Sequence, residues 1–267
     1  MHPLLRRSAD LLDRAGLGEP AFRIFQRLQA LTAPAPAHAD PLLPPAYLRV
    51  LTAGVSDAEN FRRQGQAAAA EFLQLARRHG VELSVDQRVL EFGCGSGRVG
   101  RWFIEGSDAR FSGCDVNEQL VRWCRENLNG EFERTELAPP LPYADRTFDL
   151  VYALSVFTHM HEANARAWFA ELARVVRPDG LALLTYQDDR LPTAAALQPR
   201  LAEDGFAIRR EGAEGGNLLS SYFTPAGLAD RAGAAWEVLE HIPTDASAHG
   251  QAVAVLRKVS PGTDLPG

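Results

Sequence analysis

An apolar segment that runs directly into a glycine-rich turn is the feature that most constrains how this chain folds. Residues 89 to 98 read VLEFGCGSGR, with glycine at positions 93, 95 and 97. Glycine has no Cβ atom and adopts backbone dihedrals that other residues avoid, so the turn can bend tightly and lie close to a ligand. The helix that follows such a turn presents free N–H groups at its start. The segment therefore predicts a strand, a ligand-binding turn and a helix in succession.

From residue 88 onward, a pattern of strand, turn and helix repeats. The runs typical of strands are RVLEF, ARFSGCDV, FDLVYALSV and LALLTY. Helices are expected at about 97–104, 117–128 and 163–176, the last ended by Pro178 and Gly180. Two more runs, AWEVLEHI and QAVAVLRK, indicate a terminal antiparallel pair of strands. This alternation predicts a doubly wound α/β sheet with helices on both faces.

The N-terminal part has a different composition and is expected to be a helical extension over residues 1–80. Apolar residues recur at helical spacings within 4–31, where residues 16–20 should break the pattern into two segments, and again within 56–79. A proline-rich linker, about 32–45, separates the two helical regions, because its prolines cannot continue a helix. The catalytic domain is placed at 81–260 and a C-terminal tail at 261–267.

Charge and composition exclude several classes of partner. The net charge is −6 and Lys258 is the only lysine, whereas nucleic-acid binding needs clustered basic residues. No apolar run is long enough to span a bilayer, so stable membrane insertion is not expected. The arginine-rich face within residues 4–31 suits a membrane surface, packing on the parent domain, or a homodimer through the N-terminal helices.

The compartment follows from the cysteines and the start of the chain. There are three cysteines and no pair with zinc-ligand spacing, which indicates a reducing compartment. Asp10 and Asp13 stand where an export signal requires an apolar core. We therefore expect a cytoplasmic protein.

The glycine turn alone does not identify its ligand. Gly95, Gly97 and Gly100 also spell GxGxxG, the fingerprint of dinucleotide-binding enzymes. Asp115, at the end of the second strand, could bind the ribose of either kind of cofactor, since a carboxylate accepts hydrogen bonds from two neighbouring hydroxyls. An NAD-dependent oxidoreductase is therefore the first alternative to weigh.

Glu91 and three downstream strings discriminate between the two ligands. VLEFGCGSG resembles the first motif of the class I methyltransferases that use S-adenosylmethionine (SAM), and GCDVN resembles their ribose-binding strand end. LPYADRTFDLVYALSVFTHM resembles their fourth-strand region, and ELARVVRPDGLALLTY their next helix, turn and strand. The resemblance covers about residues 60–258. It implies a Rossmann-like seven-stranded sheet with an antiparallel terminal strand, and SAM as the cofactor.

The resemblance also implies roles for individual residues. Glu91 would organise the turn and approach the SAM amino group, and Arg98 would meet the carboxylate. Asp115 would take the ribose hydroxyls, and Ser155 would lie near the methionine moiety. The remaining cofactor contacts line the methionine and ribose (the first four) or flank the adenine (the last two): Gly93, Cys94, Gly95, Gly97, Val116 and Asn117.

Adenine recognition departs from the pattern of the family. Many relatives carry Asp or Asn shortly before the turn that reads LPY here, but this chain reads RTELAPPLPY. Either Glu136 or the backbone of Leu137 must contact the adenine. The alternative, to which the sequence gives equal weight, is that Glu136 is a solvated loop acid without contact to the adenine.

Methyl transfer to a hydroxyl is helped by a base, and histidine has a suitable pKa. His159, just beyond the fourth strand, is the leading candidate for this base and for contact with the acceptor; the alternative is that it caps a helix or satisfies backbone groups. His249 is a second candidate. Further acceptor contacts are expected from Tyr186, Asn217 and Tyr222, in or beside a long variable region. Adjacent acids at 188 and 189 have no companion ligand set, so no metal is expected.

The predicted function is transfer of a methyl group to oxygen on a small sugar-like or secondary metabolite. The NAD-dependent oxidoreductase would require a catalytic Tyr/Lys or similar pair, and none is recognisable. A non-catalytic SAM-binding scaffold protein is the other alternative.

Overall fold

A seven-stranded sheet forms the centre of the computed structural model, which describes residues 18–212, 214–215 and 219–260. The order across the sheet is β3-β2-β1-β4-β5-β9-β8, where β6 and β7 belong to a separate hairpin. All pairs from β3 to β5 are parallel, whereas β9 is antiparallel to both of its neighbours. The strands are β1 (Arg88–Phe92), β2 (Arg110–Asp115), β3 (Glu131–Arg134), β4 (Phe148–Ala153), β5 (Val176–Tyr186), β6 (Phe206–Arg210), β7 (Ser220–Phe223), β8 (Trp236–Ile242) and β9 (Ala252–Lys258).

The helices alternate with these strands, as the sequence predicts. They are α1 (Gly18–Leu31), α2 (Ala46–Ala53), α3 (Ala58–Arg78), α4 (Gly100–Glu105), α5 (Glu118–Asn127), α6 (Glu162–Val175), α7 (Gln198–Asp204) and α8 (Pro225–Ala232). Helix α4 begins three residues later than expected, because residues 97–99 still belong to the glycine turn. The predicted α/β class, the seven-stranded sheet and the antiparallel strand are confirmed.

The chain divides into two compact units, with the boundary between Arg63 and Gln64. In the first unit, the guanidinium of Arg49 donates hydrogen bonds to the carbonyl oxygens of Pro44 and Ser56, which fixes both ends of the segment around α2. Helix α1 includes the glycine and proline where a break was expected. Proline is compatible with a first helical turn because the N–H groups there have no intrahelical partner. Residues 1–17 lie outside the described range.

The second unit contains the sheet, and its strand order places the ligand crevice. After β3, at one edge, the chain crosses to β4 on the other side of β1. In open α/β sheets, ligands bind outside the carboxyl ends of the strands at such a reversal of order. The crevice therefore lies beyond the ends of β1 and β4, where the glycine turn is found.

The variable region after β5 forms its own small layer. It comprises a 3₁₀ turn (Pro192–Leu197), α7 and the antiparallel hairpin of β6 and β7. Apolar side chains from these elements form a separate cluster: Ala194, Leu201, Ala207 and Tyr222.

Among the described residues, no helix is both long and apolar enough to cross a membrane.

Helix α3 packs closely on the glycine turn through Gly65. A Cβ atom at this position would lie 2.0 Å from the carbonyl oxygen of Arg98, and that backbone cannot move without displacing the turn. Only glycine therefore allows this approach.

Gly65→Ala should lower the free energy of unfolding by about 1–3 kcal/mol because it overpacks the contact with Arg98. This loss should prevail although alanine favours a helix interior by about 1 kcal/mol over glycine. Denaturant unfolding measures the difference, with the exposed Gln66→Ala as the matched control. Equal stability of Gly65→Ala and the wild type would contradict the close packing.

Candidate functional site

The glycine turn is clamped onto the end of the neighbouring strand. The amides of Gly93 and Cys94 both donate to the carbonyl oxygen of Cys114, at 2.8 and 2.9 Å. Gly93, Gly95 and Gly97 have φ values of 78°, 54° and 75°, which L side chains rarely adopt. A Cβ atom at Gly93 would also lie 2.3 Å from Val156. Both backbone conformation and packing therefore demand glycine here.

Asp115 lies directly beside this turn. Its Oδ2 accepts a hydrogen bond from the amide of Gly95 at 2.8 Å, and its Oδ1 accepts one from the amide of Asn117 at 2.9 Å. Burial raises the pKa of Asp115, and the backbone hydrogen bonds act in the opposite direction. Each carboxylate oxygen has a second lone pair, so Asp115 can still accept from two ligand hydroxyls.

The two residues that follow Asp115 differ in exposure and in partners. Val116 is exposed. The side chain of Asn117 caps α5, since its oxygen accepts from the amide of Gln119 at 3.0 Å. An adenine ring at this edge would therefore find Val116 open and the Asn117 carbonyl already bonded.

Glu91 lies behind the turn, on the face of the sheet that α3 and α4 cover. Its Oε2 atom has no hydrogen-bond partner among the described residues and lies 2.7 Å from the position of a Cβ on Gly100. Burial raises the pKa of Glu91 to about 8, although the positive charge of Arg98 lowers it. This location suits a residue that organises the turn.

Arg98 is engaged within the protein. Its Nη1 donates to Oε1 of Gln64 on α3 at 3.0 Å. Burial lowers the pKa of Arg98, and Glu91 counteracts this effect. The guanidinium thus binds α3 and faces the Glu91 charge.

Cys94 contributes backbone to the turn while its thiol is buried. The thiols of Cys94 and Cys124 both face the carbonyl oxygen of Gly95, at 3.6 and 3.4 Å. Contact with Cys124 and burial raise the pKa of Cys94 well above its ordinary value. Its side chain is therefore a neutral packing group.

Ser155 follows β4 with φ at 63°, an uncommon conformation for a residue other than glycine. Its amide donates to Oγ1 of Thr185 at 2.7 Å, and its carbonyl oxygen accepts from Thr158 at 3.0 Å. Gln251, just before β9, donates to the Ser155 hydroxyl oxygen. Sequence reasoning pointed to Ser155 but missed Thr185 and Gln251, because neither belongs to a recognisable motif.

His159 ends a 3₁₀ turn (Phe157–His159) and is fixed by the strand hairpin. Its Nδ1 lies 2.7 Å from the carbonyl oxygen of Leu219. A carbonyl can only accept, so in the neutral ring Nδ1 carries the proton and Nε2 carries the lone pair. Burial lowers the pKa of His159. Helix α6 has His161 at its N-cap position, so His159 is not the cap of that helix, but its ring does satisfy a backbone carbonyl, as the alternative expected.

His249 lies elsewhere, over α3. Its Nε2 is 3.1 Å from a carboxylate oxygen of Glu71, and its ring centroid is 5.6 Å from that of Phe72. The same Glu71 oxygen accepts from the amide of Ala248 at 3.1 Å. The contacts of His249 are thus with α3 rather than with the hairpin that holds His159.

Two of the three predicted acceptor contacts, Tyr186 and Tyr222, hydrogen-bond to different partners within the protein. The hydroxyl of Tyr186 hydrogen-bonds to Nδ1 of His241 on β8 at 3.1 Å, and burial raises the pKa of Tyr186. Tyr222 donates to Thr193 at 2.8 Å inside the small layer formed by the variable region. Asn217 lies outside the described residues.

The two candidates for adenine recognition also have other partners. Glu136 is exposed and lies 3.4 Å from the guanidinium of Arg134. The carbonyl oxygen of Leu137 accepts from Asn164 at 2.9 Å and from Trp168 at 3.1 Å. This placement favours a solvated loop acid for Glu136.

The adjacent acids after β5 have a structural partner. Both carboxylate oxygens of Asp188 bind Thr244, at 2.7 Å to its hydroxyl and 3.1 Å to its amide. Across residues 18–212, 214–215 and 219–260, no group of three or more His, Cys, Asp or Glu side chains is arranged to hold a metal ion. Asp188 therefore joins β5 to the turn before β9.

Comparisons with known proteins agree with this geometry. Residues 89–180 match the family model described as "Methyltransferase domain". Over 107 residues the chain is 30% identical to methyltransferase GfsG from Streptomyces halstedii, covering 38% of this chain and 37% of that protein. It is also 30% identical over 113 residues to O-methyltransferase cnsE from Penicillium expansum, covering 39% and 40%. The chain thus spans about two fifths of the length of these curated relatives.

The fold has solved counterparts as well. SAM-bound CalS10, an amino pentose methyltransferase from Micromonospora echinaspora, superposes with a TM-score of 0.56 at 17% identity. The match covers 73% of this chain and 92% of CalS10. Together with the matched domain, it confirms the resemblance seen in the sequence. Residues 89–180 therefore match a methyltransferase domain, and the chain shares the fold of the SAM-bound methyltransferase CalS10.

Proposed function

We propose that this chain transfers a methyl group from SAM to a hydroxyl group of a small molecule, with residues 81–260 as the catalytic domain and His159 as the base. The observation that carries the proposal is the fixed orientation of the His159 ring. Leu219 holds Nδ1, so Nε2 is the basic atom, and burial keeps the ring neutral near pH 7. This is the protonation state that a general base requires.

The residues around the glycine turn suit the cofactor. Bound SAM supplies a methyl group on a positively charged sulfur. Asp115 holds the ribose by accepting from its two hydroxyls, and its bond to the Gly95 amide sets the carboxylate against the turn. Val116 offers an open apolar contact for the adenine. Glu91, buried behind the turn, is the partner that the resemblance implies for the amino group of the cofactor.

His159 acts on the acceptor. Holding a hydroxyl in line with the reactive carbon supplies much of the rate of a displacement. Nε2 of His159 would then take the hydroxyl proton as the methyl carbon bonds to the acceptor oxygen and its bond to sulfur breaks. Two contacts with β7 and the residue before it hold His159 in place. The Leu219 carbonyl oxygen accepts from its ring, and the Ser221 hydroxyl donates to the carbonyl oxygen of Phe157 at 2.9 Å.

Oxygen as the acceptor atom rests on this base. A hydroxyl must lose its proton during transfer, whereas a neutral amine already presents a lone pair. Among the relatives, cnsE is named an O-methyltransferase and CalS10 an amino pentose methyltransferase. A hydroxyl group of a sugar-like or secondary metabolite is therefore the proposed acceptor.

The negative net charge disfavours a nucleic-acid acceptor. The cytoplasm suits the three free, buried cysteines.

One observation weighs against the oxidoreductase alternative. Lys258 is the only lysine of the chain, and its ammonium donates to the carbonyl oxygen of Val176 at 2.7 Å. Val176 begins β5, so this lysine lies at the amino edge of the sheet, opposite the glycine turn. A Tyr/Lys pair therefore cannot form at the crevice.

The non-catalytic scaffold is distinguished from an enzyme by turnover across a panel of acceptors, measured as a mass gain of one methyl group.

Asp115→Asn should weaken binding of S-adenosylhomocysteine at least 10-fold, because an amide nitrogen cannot accept from a ribose hydroxyl. Calorimetry with S-adenosylhomocysteine and with NAD measures the effect, and the exposed Asp108→Asn serves as control. Tight binding of NAD alone by the wild type would overturn the cofactor assignment.

His159→Gln should lower kcat about 100-fold or more while affinity for S-adenosylhomocysteine stays unchanged. In the wild type, kcat/KM should fall only below about pH 6.5, since the lowered pKa keeps His159 neutral above that value. The variant should lose this acid limb. His161→Gln is the control, because the ring of His161 is only partly buried and pairs with Glu211 and Glu214. Full activity of His159→Gln would refute its role as base.

The N-terminal helices are proposed to pair two copies of the chain. Four apolar side chains of α1 are each more than half exposed: Ile24, Phe25, Leu28 and Leu31. Leu28→Glu should convert a dimer to a monomer by placing a charge in the apolar contact. Light scattering across a concentration series measures the mass, with Arg27→Glu as control. A monomeric wild type at all concentrations would contradict the proposal.

A further inference from the structure

Three residues at the carboxyl edge of the sheet form a closed ring of hydrogen bonds, to which Ser155 contributes both its backbone amide and its hydroxyl. The amide of Ser155 donates to Oγ1 of Thr185 at 2.7 Å, and Thr185 donates to Oε1 of Gln251 at 2.7 Å. Gln251 in turn donates through Nε2 to the hydroxyl oxygen of Ser155. The ring links the end of β4, the end of β5 and the residue before β9.

The direction of each bond follows from the number of protons. Thr185 is fully buried, so its single hydroxyl proton needs an acceptor within the protein. The Gln251 carbonyl oxygen is that acceptor, which orients the amide and turns its NH₂ group toward Ser155. If the amide were reversed, Thr185 would keep a buried proton without an acceptor.

The consequence falls on Ser155. Its oxygen accepts from Gln251, so its own hydroxyl proton points away from the ring. Among the described residues, no acceptor for this proton is present. Ser155 directly precedes Val156, whose side chain packs against Gly93, so residue 155 is adjacent to the glycine turn in the folded chain. The left-handed backbone of Ser155 is held by Thr185 and Thr158.

We propose that Gln251 is a positioning residue that directs the Ser155 hydroxyl proton toward the carboxylate of the amino-acid part of the cofactor. The inference rests on the proposed use of SAM. A carboxylate is the complementary group, because it only accepts hydrogen bonds and binds a hydroxyl donor strongly. Arg98, the carboxylate partner that the resemblance implies, uses Nη1 to bind Gln64, so the Ser155 hydroxyl would act as a further donor to that carboxylate.

Gln251→Glu tests the direction of the ring with almost no change in shape. A carboxylate at 251 accepts from both Thr185 and Ser155, so it turns the Ser155 proton away from the cofactor. Ser155→Gly removes the hydroxyl and is compatible with a left-handed backbone. Calorimetry uses S-adenosylhomocysteine, which has the carboxylate, and 5′-methylthioadenosine, which lacks the amino-acid part.

Each variant should weaken binding of S-adenosylhomocysteine about 10- to 100-fold and leave 5′-methylthioadenosine unchanged, as for loss of a hydrogen bond to a charged group. The double variant should bind no more weakly than Gln251→Glu alone, because both changes remove the same contact. Gln66→Glu, which makes the same chemical change at an exposed residue outside the ring, should bind like the wild type.

Three results would overturn the inference: unchanged binding of S-adenosylhomocysteine by Ser155→Gly, equal loss for both ligands, or additive losses in the double variant. Additive losses would mean that the charge at 251 acts by repulsion and not through Ser155. Failure of the wild type to bind either ligand would instead refute the proposed cofactor. The two failures are therefore distinguishable.

Discussion

The bond between the Gly95 amide and the Asp115 carboxylate is the interaction on which the site depends. It joins the turn after β1 to the end of β2, at 2.8 Å. The amides of Gly93 and Cys94 reinforce this junction by sharing the Cys114 carbonyl oxygen. The end of β2, the backbone of the glycine turn and the Asp115 carboxylate are thereby held together at the proposed cofactor site.

Elements later in the chain contribute further side chains to the proposed site. The end of β4 supplies Ser155 and the 3₁₀ turn that carries His159. The hairpin of β6 and β7 then fixes the His159 ring through Leu219. Residues far apart in sequence thus control the basic nitrogen and the serine proton, while the sheet holds their backbones in register.

Much of the fold could be read from the sequence, because long apolar strands and glycine punctuation are strong local signals. Strand β1 occupies the predicted residues, and the terminal antiparallel pair was recognised from two short runs. Strand β3 was missed because only Phe132 of its four residues is buried, which leaves no alternation to detect. The hairpin was missed because its stability comes from contacts with α7 and the second 3₁₀ turn. Asp115, Ser155 and His159 were predicted from motifs, whereas Gln251 is defined only by its partners in the folded chain.

The central claim is that the adenosyl ligand rests on the glycine turn with its ribose held by Asp115. A crystal structure of the full chain with S-adenosylhomocysteine tests this most directly. We expect both ribose hydroxyls within hydrogen-bond distance of the Asp115 carboxylate, and the ligand backbone against Gly93 and Gly95. A complex in which the ligand lies elsewhere, or in which side chains fill this crevice, would contradict the account.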